Sequence, residues 1–280
     1  MVRIVTAVIV LMALSGCGPV SPPPPGASAK PETIVSLNPC LDAMLVETAD
    51  PAQIAALSHY SRDAASSSIP QSVARRFDVT GGTVEEVIIL SPDLVVAGSF
   101  LAPATQAALE RLGIRVETFG IAQTVADSIE QVRHLGDVTG NTAAAQRLAR
   151  SIKRAVADAA PPSGAPRPSA VLWQPGGIVP GEEALVSELL SIAGFENQTA
   201  ARGLGQADYL SLEEVLADPP DLLLIAGDET GQEHPVLDKL PQTRRVRFDP
   251  SLLYCGGLTI PAALERLTAI REELLAGRGA

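Results

Sequence analysis

The chain has 280 residues, enough for two domains of ordinary size, and 46% of them are hydrophobic, which excludes a disordered chain and indicates a globular protein with a core. Its 32 acidic and 21 basic residues make it acidic, and the sequence has no cluster of Lys and Arg interleaved with aromatic residues. This balance excludes nucleic acid as an expected partner.

The first 16 residues have the features of an export signal. Arg3 precedes an apolar run over residues 4–14, which is too short for a transmembrane helix because a span needs about 20 apolar residues. The sequence LSGC, which ends at Cys17, resembles the bacterial lipobox and implies that Cys17 becomes the lipid-modified first residue of the mature protein. The alternative is an ordinary signal peptide with a chance cysteine. Residues 17–31 are rich in Pro, Ser, Gly and Ala, which predicts an extended tether between a membrane anchor and a soluble body.

From residue 32 onward, strand-like and helical segments alternate, which predicts an α/β fold. We expect an N-terminal α/β lobe over residues 32–122, a helical region over 123–160 and a C-terminal α/β lobe over 161–280. The predicted strands are 33–37, 54–57, 94–97, 114–118, 170–173, 222–226 and 246–248, and the predicted helices of the lobes are 38–48, 84–90, 103–112, 182–193, 212–217 and 260–276.

The helical region is interrupted at residues 139–141, where Thr-Gly-Asn signals a turn. The piece after the turn, 142–160, has one apolar stripe, which suits a helix buried along one side. At 1.5 Å per residue it is about 28 Å long, enough to bridge two lobes. The stripe consists of Leu148, Ile152, Ala155 and Val156.

One phrase occurs twice: TVEEVIILSPDLVV at residues 83–96 and SLEEVLADPPDLLL at residues 211–224. A helix that ends before a proline and leads into a buried parallel strand explains the shared Pro, Asp and apolar run. It does not require a pair of glutamates at the start of both helices, since the general preference for acids in a first turn amounts to only about 0.3 to 1 kcal/mol. The glutamates therefore need a separate explanation.

The chain resembles the periplasmic substrate-binding proteins of bacterial ABC importers for cobalamin, iron-siderophores and haem. The resemblance covers residues 32–277 and rests on the ordered phrases IVSLNPCLDAML, SHYSRD, EEVIILSPDLVVAG, LERLGIRV and EEVLADPPDLLLIAG. It implies two Rossmann-like α/β lobes bridged by a single long helix, with a ligand cleft between the lobes.

The resemblance also implies a role for the repeated glutamates. In this family one surface glutamate of each lobe docks onto arginines of the two permease subunits, and by motif these are Glu85 and Glu213. A two-fold symmetric permease offers two equivalent basic sockets, and a carboxylate fits an arginine fork with two parallel hydrogen bonds. Glu86 and Glu214 remain the alternative pair.

The same resemblance places the ligand on loops at the carboxyl ends of strands, as open α/β sheets generally bind. Aromatic residues make up only 3% of the chain, yet four of them fall in these loops, where flat faces suit a corrin or porphyrin. The alternative is that they are ordinary core residues. The predicted ligand-binding residues are Asn38, Cys40, His59, Tyr60, Phe100, Trp173, Tyr254 and Cys255.

No resident cofactor and no metal site are predicted. Side chains of the types at His59 and Tyr60 ligate iron and cobalt, although a single loop histidine is more often solvated. Capture of bare zinc or manganese needs three or four converging ligands, and only His59 is suitably placed. We expect His134 and His234 at the surface, away from the cleft.

Apart from Cys17, the cysteines are Cys40 and Cys255, an even pair in a compartment that permits disulfides. The resemblance puts them on loops of opposite lobes that face one cleft. Three alternatives stay open: a disulfide that clamps the cleft, two free thiols near the ligand, or two small buried residues. Their placement on opposite lobes argues against the disulfide.

The sequence thus favours a lipid-anchored binding protein that delivers a metal chelate to an inner-membrane permease. Cobalamin is favoured, followed by an iron-siderophore, whose anionic groups Arg62 and Arg202 would face, or haem. One alternative is a receptor for bare metal ions. Another is an enzyme built on Cys40 and His59, but the sequence lacks the dinucleotide, phosphate-loop, zinc-protease and serine-hydrolase motifs, and we predict no catalysis.

Overall fold

The structure is a computed structural model that describes residues 30–227 and 230–278. The predicted export signal, the predicted lipidation at Cys17 and nearly all of the predicted tether lie outside the described residues. Within the described ranges, no helix combines the length and the apolar character needed to cross a membrane.

The N-terminal lobe is built on a five-stranded sheet in which every neighbouring pair of strands is parallel. Its elements are β1 (Ile34–Ser36), α1 (Pro39–Thr48), β2 (Ile54–Ser58), α2 (Gln71–Ala74), β3 (Val79–Thr80), α3 (Val84–Leu90), β4 (Leu94–Gly98), α4 (Pro103–Arg111) and β5 (Arg115–Phe119). The strand order is β3-β2-β1-β4-β5. The central strands β1 and β4 are almost wholly buried, as expected for parallel strands covered on both faces.

Two long helices connect the lobes: α5 (Val125–Val138) and α6 (Thr142–Ala159), joined by the predicted turn at 139–141. The helices pack closely at Gly136, where an added Cβ would lie 2.3 Å from the Cβ of Ala145. Ile152 of the predicted stripe is fully buried, and the other stripe residues pack against the same core. At 18 residues, α6 is about 27 Å long.

The C-terminal lobe has a four-stranded parallel sheet of order β11-β10-β6-β8 and a small antiparallel ribbon of β7 and β9. Its elements are β6 (Ser169–Trp173), β7 (Ile178–Val179), α7 (Leu185–Ile192), β8 (Glu196–Asn197), α8 (Gln198–Ala201), β9 (Asp208–Tyr209), α9 (Leu212–Ala217), β10 (Leu222–Ile225), β11 (Arg244–Arg247) and α10 (Thr259–Arg278).

The predicted α/β fold with two lobes is confirmed. Helix α6 packs against α1 of the first lobe and α10 of the second, while α5 packs against α1 and α7. Both helices of the connection therefore contact both lobes, which gives the bridge two helices side by side. The exact residue boundaries of the lobes stay a prediction.

The repeated phrase has the same structural role in both lobes. The carboxylate of Asp93 accepts backbone hydrogen bonds from Glu32 (2.8 Å) and Thr33 (3.0 Å), just before β1. In the second lobe the carboxylate of Asp221 accepts the backbone N–H of Ser169 (2.8 Å), the first residue of β6. Because β1 lies beside β4 and β6 beside β10, each aspartate fixes the start of the neighbouring central strand.

Several short elements differ from the prediction. Helix α7 begins at Leu185 instead of 182, because the backbone N–H groups of Gly181 and Glu182 bond to the loop at 204–205 and Glu183 adopts a φ of 60°. The two-residue strands β3, β7, β8 and β9 and the one-turn helices α2 and α8 were not predicted. Such short elements carry too few residues to show a hydrophobic period.

Candidate functional site

A cavity of about 260 Å³ lies between the lobes. Its N-terminal wall consists of residues that follow β1, β4 and β5, and its C-terminal wall consists of the end of β6, the start of α7 and the loop before α10. The carboxyl ends of parallel strands from both lobes thus meet at one cleft, which is where open α/β sheets bind ligands.

The structure brings most of the predicted ligand-binding residues together. Five of them line the cleft cavity, and His59 and Tyr60 line a neighbouring cavity of about 410 Å³ that shares Asn38, Gly98 and Phe100 with the cleft. The five in the cleft are Asn38, Cys40, Phe100, Tyr254 and Cys255.

Asn38 has a structural role in addition to its place in the wall. Its side-chain oxygen accepts the backbone N–H groups of Cys40 (2.9 Å) and Leu41 (3.2 Å), and Pro39 occupies the first helical position. This is the usual N-cap arrangement, and it starts α1 at the cleft. The side-chain NH₂ of Asn38 remains available toward the cavity region that the residue lines.

Large apolar side chains are exposed around the cleft. Phe100 is 84% exposed, Ile121 55%, Tyr60 46% and Tyr254 42%. Burying such a side chain fully contributes about 1.5 to 3 kcal/mol, so a partner that covers these side chains gains from their contact. Several exposed large apolar side chains around one cleft are typical of a ligand-binding groove.

Trp173 lies away from the cleft, contrary to the prediction. Side chains alternate between the faces of a strand, and on β6 it is Leu172 that lines the cleft cavity. Trp173 points to the opposite face, where it is buried and its Nε1 donates to the carbonyl oxygen of Leu210 (3.0 Å). The residue that reaches the cleft from the end of this strand is Gln174.

Cys40 and Cys255 form a disulfide, with their Cα atoms 5.0 Å apart. The prediction that opposite-lobe placement argues against this bond was wrong. The helix start at Cys40 and the loop before α10 meet across the cleft, so the two residues come together although they belong to different lobes. The alternatives of free thiols and of two unlinked buried residues are thereby excluded in this structure.

A buried carboxylate supports the loop that carries His59 and Tyr60. Asp42, in α1, is fully buried and accepts hydrogen bonds from the hydroxyls of Ser58 (2.5 Å) and Ser61 (2.6 Å) and from the backbone N–H of Ser58. Burial raises the pKa of Asp42 to about 6, and the hydrogen bonds from neighbouring serines act in the opposite direction. The rings of His59 and Tyr60 lie 4.0 Å apart between these two serines.

None of the described residues that line the cleft cavity is a lysine or an arginine. Arg62, one of the two arginines expected to face an anionic siderophore, donates to the carbonyl oxygen of Phe77 (2.6 Å). The other, Arg202, is paired with Asp218 (2.7 Å). Neither lines the cleft, so the structure does not place them for that role.

Amide side chains take the place of charges in the cleft. Asn38 and Gln131 lie on the N-terminal side, and Gln174 and Gln206 on the C-terminal side. The Nε2 of Gln131 donates to the carbonyl oxygen of Gly120 (2.9 Å), which leaves its side-chain oxygen free to accept. The cleft can therefore both donate and accept hydrogen bonds without carrying a formal charge.

Some of these residues were missed by the sequence interpretation. Ile121 follows β5 and could have been found by extending the rule about strand ends to that strand. Gln131 and Leu185 lie on helices, and which face of a helix meets the cleft depends on packing between the lobes. No local signal in the sequence carries that information.

The histidines do not form a metal site. Among residues 30–227 and 230–278, no three His, Cys, Asp or Glu side chains converge on a common point. His134 lies beside Glu117 (3.4 Å), and His234 accepts the backbone N–H of Val236 at the start of a turn. Cys40 is held in the disulfide and has no thiolate, which removes the proposed Cys40 nucleophile of the enzyme alternative.

The two glutamates at the start of α3 and of α9 have different surroundings. Thr83 and Glu86 form a capping box at α3, as Ser211 and Glu214 do at α9. The pKa of Glu86 is lowered chiefly by the hydrogen bond from the Thr80 hydroxyl, and that of Glu214 by the bond from the Ser211 backbone.

Glu85 and Glu213 precede these capping residues by one position. Both are exposed, and neither carboxylate has a hydrogen bond or ion pair with any residue that the structure describes. Capping therefore explains one glutamate of each pair and leaves the other free.

Comparison with known proteins identifies relatives of the whole fold. Residues 34–247 match the family described as periplasmic binding protein. A protein of Halobacterium salinarum named cobalamin-binding protein is 27% identical over 205 residues, which is 70% of this chain and 54% of that protein. This chain thus spans about half the length of the curated relative.

Solved structures are similar in fold at low sequence identity. The apo haem-binding protein RhuT from Roseiflexus sp. RS-1 has a TM-score of 0.67 at 21% identity, covering 87% of this chain and 97% of that one. The haem-binding protein HutB of Vibrio cholerae has a TM-score of 0.70 at 17% identity, covering 85% and 98%. The vitamin B12 binding protein BtuF of Vibrio cholerae has a TM-score of 0.68 at 17% identity, covering 88% and 98%.

The raised pKa of Asp42 predicts a pH-dependent stability. A carboxyl whose pKa rises from 3.8 to about 6 on folding favours the protonated folded state, so its contribution is present below pH 4 and is lost as the pH rises toward 6. We expect the unfolding free energy of the wild type, relative to Asp42→Asn, to fall by about 2 to 3 kcal/mol between pH 4 and pH 7. Urea unfolding of the wild type and of Asp42→Asn between pH 4 and pH 7 measures this difference in unfolding free energy.

The control for this experiment is Asp63→Asn, because Asp63 is exposed and its pKa is lowered, mainly by the hydrogen bond from the Ser66 hydroxyl. This variant should not reproduce the loss of relative stability with rising pH. A constant difference between the wild type and Asp42→Asn from pH 4 to pH 7 would contradict the prediction.

The disulfide predicts a second stability effect. It joins residues 215 positions apart, so it restricts the unfolded chain strongly. Replacing both cysteines, Cys40→Ser with Cys255→Ser, is expected to lower the unfolding free energy by about 3 to 5 kcal/mol. Denaturant unfolding with and without a thiol reductant measures this, and the reductant should destabilise the wild type while leaving the double variant unchanged. Equal stability of the oxidised wild type and the double variant would refute a bridging bond.

Proposed function

This chain belongs to the periplasmic binding protein family, and we propose that it is a lipid-anchored substrate-binding protein that captures a metal chelate for an ABC importer. Cobalamin is the favoured ligand, followed by haem and then by an iron-siderophore. The proposed action is binding and delivery, with no bond made or broken.

The observation that carries the choice of ligand is the lining of the cleft, to which the described residues contribute four amide side chains and no lysine or arginine. A corrin has carboxamide groups around its edge, which pair with amides through neutral hydrogen bonds. Haem propionates and the anionic groups of siderophores are better matched by arginine or lysine. The cobalamin-binding protein of Halobacterium salinarum supports the same order, whereas the similar solved structures include both haem and vitamin B12 binders.

The exposed rim supports a flat apolar ligand. Phe100 and Tyr254 line the cleft from opposite lobes, and Tyr60 stands over the neighbouring cavity. Aromatic faces bind the face of a macrocycle by stacking and by removal of apolar surface from water. The disulfide keeps the two walls close together, so capture requires little movement of the lobes.

Delivery is proposed to use Glu85 and Glu213. The support is that both carboxylates are exposed and have no partner among the described residues, while the neighbouring Glu86 and Glu214 are engaged in capping boxes. Exposed carboxylates, one on each lobe, suit a two-fold symmetric partner with two arginine sockets. Lipidation at Cys17 would hold the protein near that partner in the periplasm, and this part of the proposal rests on the LSGC sequence alone.

Calorimetric titration tests the ligand. The protein is expected to bind cobalamin with a dissociation constant in the micromolar range or below, more tightly than haem or a ferric siderophore, and not to bind free Zn²⁺ or Mn²⁺. Phe100→Ala should weaken cobalamin binding about tenfold because it removes a stacking face. Leu112→Ala, which shortens an exposed apolar side chain outside the cleft, is the matched control.

The alternatives give different results in the same titration. Tighter binding of haem than of cobalamin would make haem the ligand, and binding of a free metal ion alone would favour the bare-metal receptor. Failure to bind any chelate would refute the proposal.

Charge reversal tests docking. Glu85→Lys with Glu213→Lys is expected to abolish ligand uptake by cells that depend on this protein, while the affinity for the ligand in solution stays unchanged. The control is Glu265→Lys with Glu272→Lys, which makes the same change in net charge at two exposed positions of α10. Normal uptake with the first variant, or loss of ligand binding by it, would exclude a docking role.

A further inference from the structure

A second and larger cavity, of about 730 Å³, adjoins the cleft. It lies at the carboxyl ends of β6, β10 and β11, and the loop residues Ala64 and Ala65 approach it from the N-terminal lobe. Gln174 and Tyr254 line both cavities. The second cavity therefore lies directly beside the cleft, with these two side chains at the boundary.

The order of strands makes this position suited to a ligand. Within this sheet the chain passes from β6 to its neighbour β8 on one side and from β10 to its neighbour β11 on the other. The crevice between β6 and β10 is the point where the connections diverge, and open α/β sheets bind ligands at such points. Residues from the ends of both strands, Pro175 and Ile225, line the cavity, and Phe248 adds an aromatic wall.

A metal chelate of the proposed kind needs more space than the cleft cavity alone provides. Pockets for drug-sized ligands occupy about 300 to 1,000 Å³, and a corrin or porphyrin with its side groups is at least of that size. The cleft cavity of about 260 Å³ is below this range. A chelate bound in the cleft must extend past its rim, and the cavity beyond Tyr254 is the larger of the two neighbouring spaces.

The charges in this second cavity differ from those in the cleft. Arg247 is paired with Glu233 and donates to the carbonyl oxygen of Gly227 (3.0 Å). The carboxylate of Asp249 accepts the backbone N–H of Ser251 (2.9 Å). Arg266, from α10, is partly buried and has no hydrogen bond or ion pair within the described part of the chain. Among the charged residues that line this cavity, it is the one for which the described residues supply no partner.

We propose that this cavity is a second compartment of the ligand site, in which Arg266 binds an anionic arm of the chelate, either a phosphodiester or a carboxylate. The inference rests on the proposed chelate-binding function and refines it. The uncharged cleft binds the macrocycle and its amides. The guanidinium of Arg266 binds the anionic group, whose charge the cleft does not compensate. An arginine fork matches the paired oxygens of either anion.

Two pairs of ligands test the proposal and distinguish the two anions. Cobalamin and cobinamide, both as dicyano forms so that the axial ligands match, share a corrin but only cobalamin has the phosphodiester arm. Haem and haem dimethyl ester differ in their free carboxylates. Calorimetric affinities are compared for the wild type, Arg266→Gln and Arg150→Gln, the last being a control that removes an exposed charge from α6, away from the cavity.

For the phosphodiester, we expect Arg266→Gln to weaken cobalamin binding about tenfold, to leave cobinamide binding unchanged and to reduce the salt dependence of cobalamin binding. Arg266→Lys should keep part of the affinity. For the carboxylate, the same pattern is expected in the haem pair instead. Arg150→Gln should change neither pair.

Two results would overturn the inference while the proposed function stands. One is equal affinity of the wild type for both members of each pair, and the other is an equal loss for both members in Arg266→Gln. Circular dichroism of Arg266→Gln shows whether such an equal loss comes from misfolding. If it does, Arg266→Lys is used instead: a retained preference for the anionic member of a pair supports the inference, and a lost preference overturns it. A wild-type chain that binds no chelate overturns the inference and the proposed function together.

Discussion

The disulfide between Cys40 and Cys255 is the constraint on which the geometry of the cleft depends. It connects the start of α1 to the loop before α10 and thereby fixes the distance between the two walls. Non-covalent contacts reinforce it, since the backbone N–H of Gly257 donates to Ser128 of α5 (2.7 Å) and that of Val125 donates to Glu188 of α7 (2.6 Å). The covalent bond holds the lobes together at the cleft, and the helices α5 and α6 pack against both lobes.

The distribution of charge divides the site into two chemical environments. The cleft offers amides and apolar side chains, while the adjoining cavity is lined by the guanidinium groups of Arg247 and Arg266 and by the carboxylate of Asp249. Uncharged walls select against ligands whose charge would have to be buried without a partner, because such burial is costly. In this arrangement, selectivity comes both from the contacts that the cleft makes and from the ligand charges that it leaves without a partner.

Much of the fold follows from local sequence, and the site follows from it only in part. The capping boxes at Thr83 and Ser211 and the buried runs of β4 and β10 are local features, and the predicted helices 84–90 and 212–217 match the structure. Trp173 was misplaced because a shift of one position along a strand reverses the face. The disulfide and Gln131 depend on how the lobes pack, over sequence separations at which no local pattern is informative.

The separation of roles within the repeated glutamate pairs has a consequence for how this protein could acquire new partners. In each lobe the second glutamate belongs to the fold, because its carboxylate completes a helix cap, while the first makes no contact that the fold needs. Under the proposed docking role, recognition and stability are therefore encoded by adjacent but independent positions. If Glu85 and Glu213 dock as proposed, changing two codons is enough to alter or invert the charge presented to the partner, at little cost to folding.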